Sequence, residues 1–124
     1  MAVYNNLSCE TYIAGEDLSA AQYKFVRINV GTDSTVILSG AGERADGVLI
    51  NDPTAGKAAT VSRDGDPMVY AAGTIADGDE IAVNANGDAV AAVSTDIIVG
   101  YAREAAVDGQ LFQITFSRAE AVKA

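Results

Sequence analysis

Three short acidic constellations are the residues of this chain best suited to chemistry. Asp64-Gly65-Asp66 and Asp77-Gly78-Asp79-Glu80 set carboxylates two residues apart, and Asn84-Ala85-Asn86-Gly87-Asp88 sets side-chain oxygens at the same interval. On a strand, residues i and i+2 share a face; on a turn, such a pair suits a hard cation such as Ca²⁺. The helix–loop–helix calcium pattern is missing, however, because no Asp-x-Asp-x-Asp-Gly run with a closing Glu exists. Glycoside hydrolysis by paired carboxylates needs a cleft, and nothing in the sequence points to one. The chain has no histidine, so it lacks the commonest general base and triad partner. A single cysteine, Cys9, excludes an internal disulfide and a structural zinc site, and no imidazole exists to activate it. It reads as a reduced thiol. The acids are therefore expected to serve turn geometry and solubility, since Asp bonds its own backbone in turns. No catalytic residue, no cofactor and no metal is expected, and the chain is not expected to be an enzyme.

The elements that carry these acids are short strands. Five Asx-Gly dipeptides punctuate the chain: Asp46-Gly47, Asp64-Gly65, Asp77-Gly78, Asn86-Gly87 and Asp108-Gly109. Each lies beside a short apolar run, the pattern of a hairpin closed by a type I′ turn. The expected strands are Tyr23–Val30, with Val26, Ile28 and Val30 inward, then Thr35–Leu38, Val48–Ile50, Ala58–Ser62, Met68–Ala72, Glu80–Val83, Ala89–Val93 and Ile97–Arg103. The last, Gln110–Ser117, alternates with Phe112, Ile114 and Phe116 inward. Ser39–Glu43 reads as a flexible loop; its Gly-x-Gly lacks the strand–helix setting of a nucleotide loop. Glycines recur near every nine residues, at 47, 56 and 65 for example. The paired glycines and Asp of a calcium-binding β-roll are absent, so strand plus turn accounts for the interval.

The fold class expected is all-β: a small barrel or sandwich of short hairpin-connected strands with an extended N-terminal arm. Residues 1–20 form the arm, 21–117 the β domain and 118–124 a frayed tail. A short helical turn is expected over Glu16–Gln22. In the arm, Tyr4, Leu7, Tyr12 and Ile13 are large and have no local core. They either cover one end of the barrel or reach onto a partner. Tyr4, Asn5, Asn6, Leu7, Tyr12 and Ile13 are the candidate contact residues.

Composition narrows the partners. Aromatics are 6% of residues and Trp is absent, so the core is built from small and β-branched side chains and would gain from self-association. The formal charge is −9, which argues against nucleic acid and against an anionic membrane. No run approaches the roughly 18 apolar residues of a membrane span, and the first residues lack the basic-then-apolar order of a secretory signal.

From Ala45 to Phe116 the chain resembles a known group. The residues are ADGVLIND, GKAATVSRDG, AAGTIADGDEIAVNANGDAV and VGYAREAAVDGQLFQITF. Gly47-Val48, Val61 to Gly65, Ala72 to Asp79, Asn86-Gly87, Val99 to Ala102 and Ala106 to Gln110 are similar, in order, to the strands and turns of the capsid decoration (cement) proteins of tailed bacteriophages. That resemblance implies a β-rich structural protein without enzymatic activity. It would be made in the host cytoplasm and would sit on the outer surface of the virion head. It would bind the major capsid protein, as a homotrimer at threefold or quasi-threefold positions, and stabilise the shell. Another virion module, such as a tail- or fibre-associated β domain, is the alternative. Gly73-x-Ile75-x-x-Gly78-Asp79 also resembles the domains that carry biotin or lipoate, but the Lys those present at a hairpin tip is missing here.

Overall fold

The computed structural model describes residues 8–117 and 121–123. Among these residues lie ten strands: β1 (Ser8–Ala14), β2 (Phe25–Ile28), β3 (Thr35–Leu38), β4 (Gly47–Leu49), β5 (Ala58–Asp64), β6 (Met68–Tyr70), β7 (Glu80–Val83), β8 (Ala89–Ala91), β9 (Gly100–Ala102) and β10 (Leu111–Phe116). β1 to β5 close a barrel in the order β1-β3-β2-β4-β5, and β6 to β10 form a second sheet in the order β6-β10-β9-β7-β8. An isolated parallel bridge between Ala71 and Ala89 draws the outer strands of that sheet together. The architecture is thus all-β, as the alternation and turn residues imply.

Two cores result. Leu18, Val26, Val36, Leu49, Ala59 and Val61 fill the barrel. Val69, Ile75, Ile81, Val83, Phe112, Ile114 and Phe116 fill the space within the second sheet, joined there by Phe25 and Val48 from the barrel wall. Consecutive residues of β2 therefore face different cores: Phe25 and Val26 are both fully buried. Phe25 stacks on Phe116 with ring centroids 6.4 Å apart and so couples the two units. The expected inward trio of β10 is buried as its alternation implies. Val30 is not: it is 79% exposed, because β2 ends at Ile28 and the chain turns through Asn29, whose carbonyl accepts the Thr32 N–H.

The second sheet contains an exchange that local sequence reading did not reveal. Residues 68–83 and 99–114 align without gaps, matching Tyr70 with Tyr101, Ala71 with Ala102 and Asp77-Gly78 with Asp108-Gly109. Their bonding is reciprocal. Leu111 pairs with Tyr70 as Glu80 pairs with Tyr101. Gly109 N–H donates to Ala71 O as Gly78 N–H donates to Ala102 O, and Ile75 and Ala106 exchange both backbone bonds at 2.9 Å. At each turn the residue after glycine caps the turn's first amide: Asp79 Oδ2 accepts from Ala76 N–H and Gln110 Oε1 from Val107 N–H. Each unit thus sends its second strand to the other unit.

The turns correct the hairpin expectation in two ways. Gly65, Gly78, Gly87 and Gly109 have positive φ, but none of the Asx residues before them does, so none is type I′. Asn86-Gly87 does join a hairpin, β7 to β8. Asp46-Gly47 is no turn at all. Gly47 lies in β4, where an added Cβ would stand 2.3 Å from Val61 Cγ1 and 2.6 Å from Ser62 O. Glycine is required there for close strand approach. Gly47→Ala is expected to lower stability by about 1–3 kcal/mol through overpacking, read as a lower denaturant midpoint at unchanged slope.

Three segments differ from expectation at their margins. Residues 8–14, assigned to the arm, are a barrel strand, because their partners lie far off in β5. Residues 16–22 form turns, not helix, with Leu18 sunk into the barrel core. Ser39–Glu43 is tied down: Ser39 Oγ donates to Arg44 O at 2.6 Å, and Gly42 N–H donates to Val83 O across the two units.

Candidate interaction surface

Several of the turn acids and amides are engaged in local structure. Asp108 Oδ1 accepts from Gly73 N–H at 3.0 Å, and Asn84 Oδ1 accepts from both Asn86 and Asp88 N–H at 2.9 Å. Asp66 binds Arg103 Nη1 at 3.0 Å and accepts from Thr115 Oγ1. Among the described residues, no three His, Cys, Asp or Glu side chains converge on a common point. These carboxylates stabilise turns and bind neighbouring cations.

The open end of the barrel is more distinctive. Alternation turns Glu10, Tyr12 and Ala14 of β1 toward the interior, beside Ala59, Val61 and Arg63 of β5, in a register pairing Glu10 with Val61 and Tyr12 with Ala59. Arg63 closes this end. Its Nη1 donates to Tyr12 Oη at 2.8 Å and approaches Glu10 Oε2 at 3.4 Å, while Cζ lies 5.9 Å from the Tyr12 ring centroid. Tyr12 is thus half-buried against the barrel core, whereas Ile13 points outward and is 48% exposed. Of the candidate contact residues, these two are placed. Tyr4, Asn5, Asn6 and Leu7 lie outside the described residues.

The same alternation fixes where the β1 backbone points. Ala14 N–H donates to Lys57 O, on the β5 side, whereas Ile13 N–H donates to Ser34 O and Gly15 N–H to Val36 O, on the β3 side. Cys9 and Thr11 share the parity of Ile13, so their N–H and C=O groups also point away from β5. β3 pairs with β1 only at Ile13 and Ala14. Among the described residues, no strand runs beside Cys9–Thr11 on that side, and all three residues are exposed. Arg63 and this bare edge escaped the sequence reading, because both exist only once residues 8–14 pair with 58–64.

A second feature lies on the outer face of the second sheet. Gly78, Asp79, Glu80, Ala91, Ala92, Tyr101 and Lys123 line a depression of about 460 Å³. Ala121–Lys123 is bound there, not frayed: Ile98 N–H donates to Ala121 O, Lys123 N–H donates to Asp96 O and Thr95 N–H donates to Lys123 O. Lys123 Nζ also bonds Glu80 Oε1. That carboxylate holds the ammonium above its ordinary pKa. A raised folded-state pKa stabilises fully below the unfolded lysine value and is lost as pH rises through the folded one. The contact between Val122 and Ile97 is therefore expected to weaken in alkaline solution above the ordinary lysine range, seen as movement of their NMR methyl signals. At the opposite sign, Asp17 is held below the usual carboxylate range by its bonds from Ser19.

No family model matches the chain, and no curated protein matches it. Among solved structures, it is similar to the N base of head fiber gp8.5 in bacteriophage phi29, with a TM-score of 0.74 and 23% sequence identity, over 94% of this chain and 98% of that one. The likeness is one of fold. At that coverage it extends over both β units.

Proposed function

We propose that this chain is a structural protein of a phage virion that binds the outer surface of the head through the major capsid protein, stabilises the shell and assembles as a homotrimer at threefold or quasi-threefold sites. The observation that carries the reading is the match of nearly the whole fold to the phi29 head-fiber base. The engagement of the acids in turns and ion pairs, and a charge of −9 suited to a solvent-facing surface and ill suited to DNA, are consistent with it. Self-association would bury exposed apolar residues such as Ile13 and Val30.

A second reading is favoured by the same neighbour: the chain is the shell-bound base of a projecting head fibre. Co-sedimentation of the purified protein with expanded empty heads of the phage that encodes it tests both. Binding that saturates at threefold sites and raises the temperature at which heads rupture is expected for a stabilising protein. Binding without any change in rupture temperature fits a fibre base. Absence of binding removes both readings.

A further inference from the structure

We propose that the Cys9–Thr11 edge of β1 receives, as an added strand, the N-terminal segment of a second copy of this chain. The inference rests on the self-association proposed above and names the surface that carries it. The backbone supplies the first argument. Cys9 and Thr11 present N–H and C=O groups on the side away from β5, beyond the point where β3 leaves β1. A bare edge of this kind is a template for strand addition, in which main-chain bonds give affinity.

Charge selects the occupant. With a net charge of −9, two copies repel over most of their surfaces, and the edge itself carries Glu10. Residues 1–7, MAVYNNL, hold no Asp, Glu, Lys or Arg. This stretch can lie beside Glu10 of another copy without adding like charge, and Val3 and Tyr4 favour the extended state. It joins β1 at Ser8, next in sequence to the edge it would fill on a neighbour. Donation of the segment from each copy to the next is a head-to-tail contact. Such contacts close into rings when the rotation permits, as a trimer does.

Cys9 provides the test, because it is the chain's single cysteine. Ala2→Cys, Val3→Cys and Tyr4→Cys, made one at a time, are oxidised and run on non-reducing gels with mass analysis. At least one should give a covalent ladder of linked chains, abolished by Cys9→Ser. A disulfide confined within single chains means the segment folds back on its own strand and overturns the proposal. So does the absence of any disulfide in all three variants. Thr11→Pro removes an amide that β5 does not use, so the barrel is expected to persist by circular dichroism while the ladder is lost. Light scattering on the wild type separates the two levels. A monomer removes the self-association reading as well, whereas an oligomer without cross-links leaves that reading standing and removes strand exchange alone.

Discussion

Deletion of residues 2–14 is expected to abolish cooperative folding of the barrel, while deletion of 2–7 leaves it folded. An arm could be removed without harm, but residues 8–14 are a closing strand. They pair with β5 from Ser8 to Ile13 and with β3 at Ile13 and Ala14. Without them, β3 and β5 both gain a bare edge, and Leu18, Val36 and Val61 lose the wall formed by Ala14 and Tyr12. Total stability of a domain is only of order 5–15 kcal/mol. Loss of one wall from a five-stranded barrel is expected to exceed what remains. Thermal unfolding followed by circular dichroism separates the variants: a sigmoidal transition for the shorter deletion and none for the longer. A retained transition in the longer deletion would show that β1 is dispensable and that the barrel closes without it.

Phe112→Ala is expected to destabilise the protein by about 3–5 kcal/mol, the range for truncating a buried aromatic. At this chain length that corresponds to a melting temperature roughly 10–20 °C lower. Phe112 is fully buried and lies in the middle of the second core, opposite Val69 on β6. The exchange of strands makes the site unforgiving. β10 is held by β6 through its first half and by β9 through its second, so the cavity cannot close by shifting one strand without breaking a ladder on the other side. A loss below about 0.5 kcal/mol would mean that the residue does not face the core.

Much of the local structure was legible. The alternation of Phe112, Ile114 and Phe116 against Gln113 and Thr115 reports a strand with one dry face, and the structure buries that face. Thr35–Leu38 and Glu80–Val83 begin and end where the sequence places them. These segments carry their signal in their own residues. Ser8–Ala14 carries no such signal: its inward positions hold a glutamate, a tyrosine and an alanine, which become a wall and a plug only against Val61 and Arg63. Phe25 and Val26 were equally opaque, because burial of adjacent residues on a strand requires a core on each face. Of the candidate contact residues, Tyr12 proved to help seal the barrel end and Ile13 to face outward.

The amino-acid sequence by itself determined that this chain is built of short strands, that most of its Asx-Gly pairs lie at turns and that it carries no histidine. Those properties follow from residue type, period and turn chemistry, all of which act over a few neighbouring positions. The tertiary structure decided which strands pair. It placed Gly47 inside a strand, joined residues 8–14 and 121–123 to the two β units and exchanged strands between two matching segments. It also left the outer edge of Cys9–Thr11 bare. Pairing is set by which apolar faces can be buried together over long separations in the chain, and neither a turn nor an alternation specifies its distant partner.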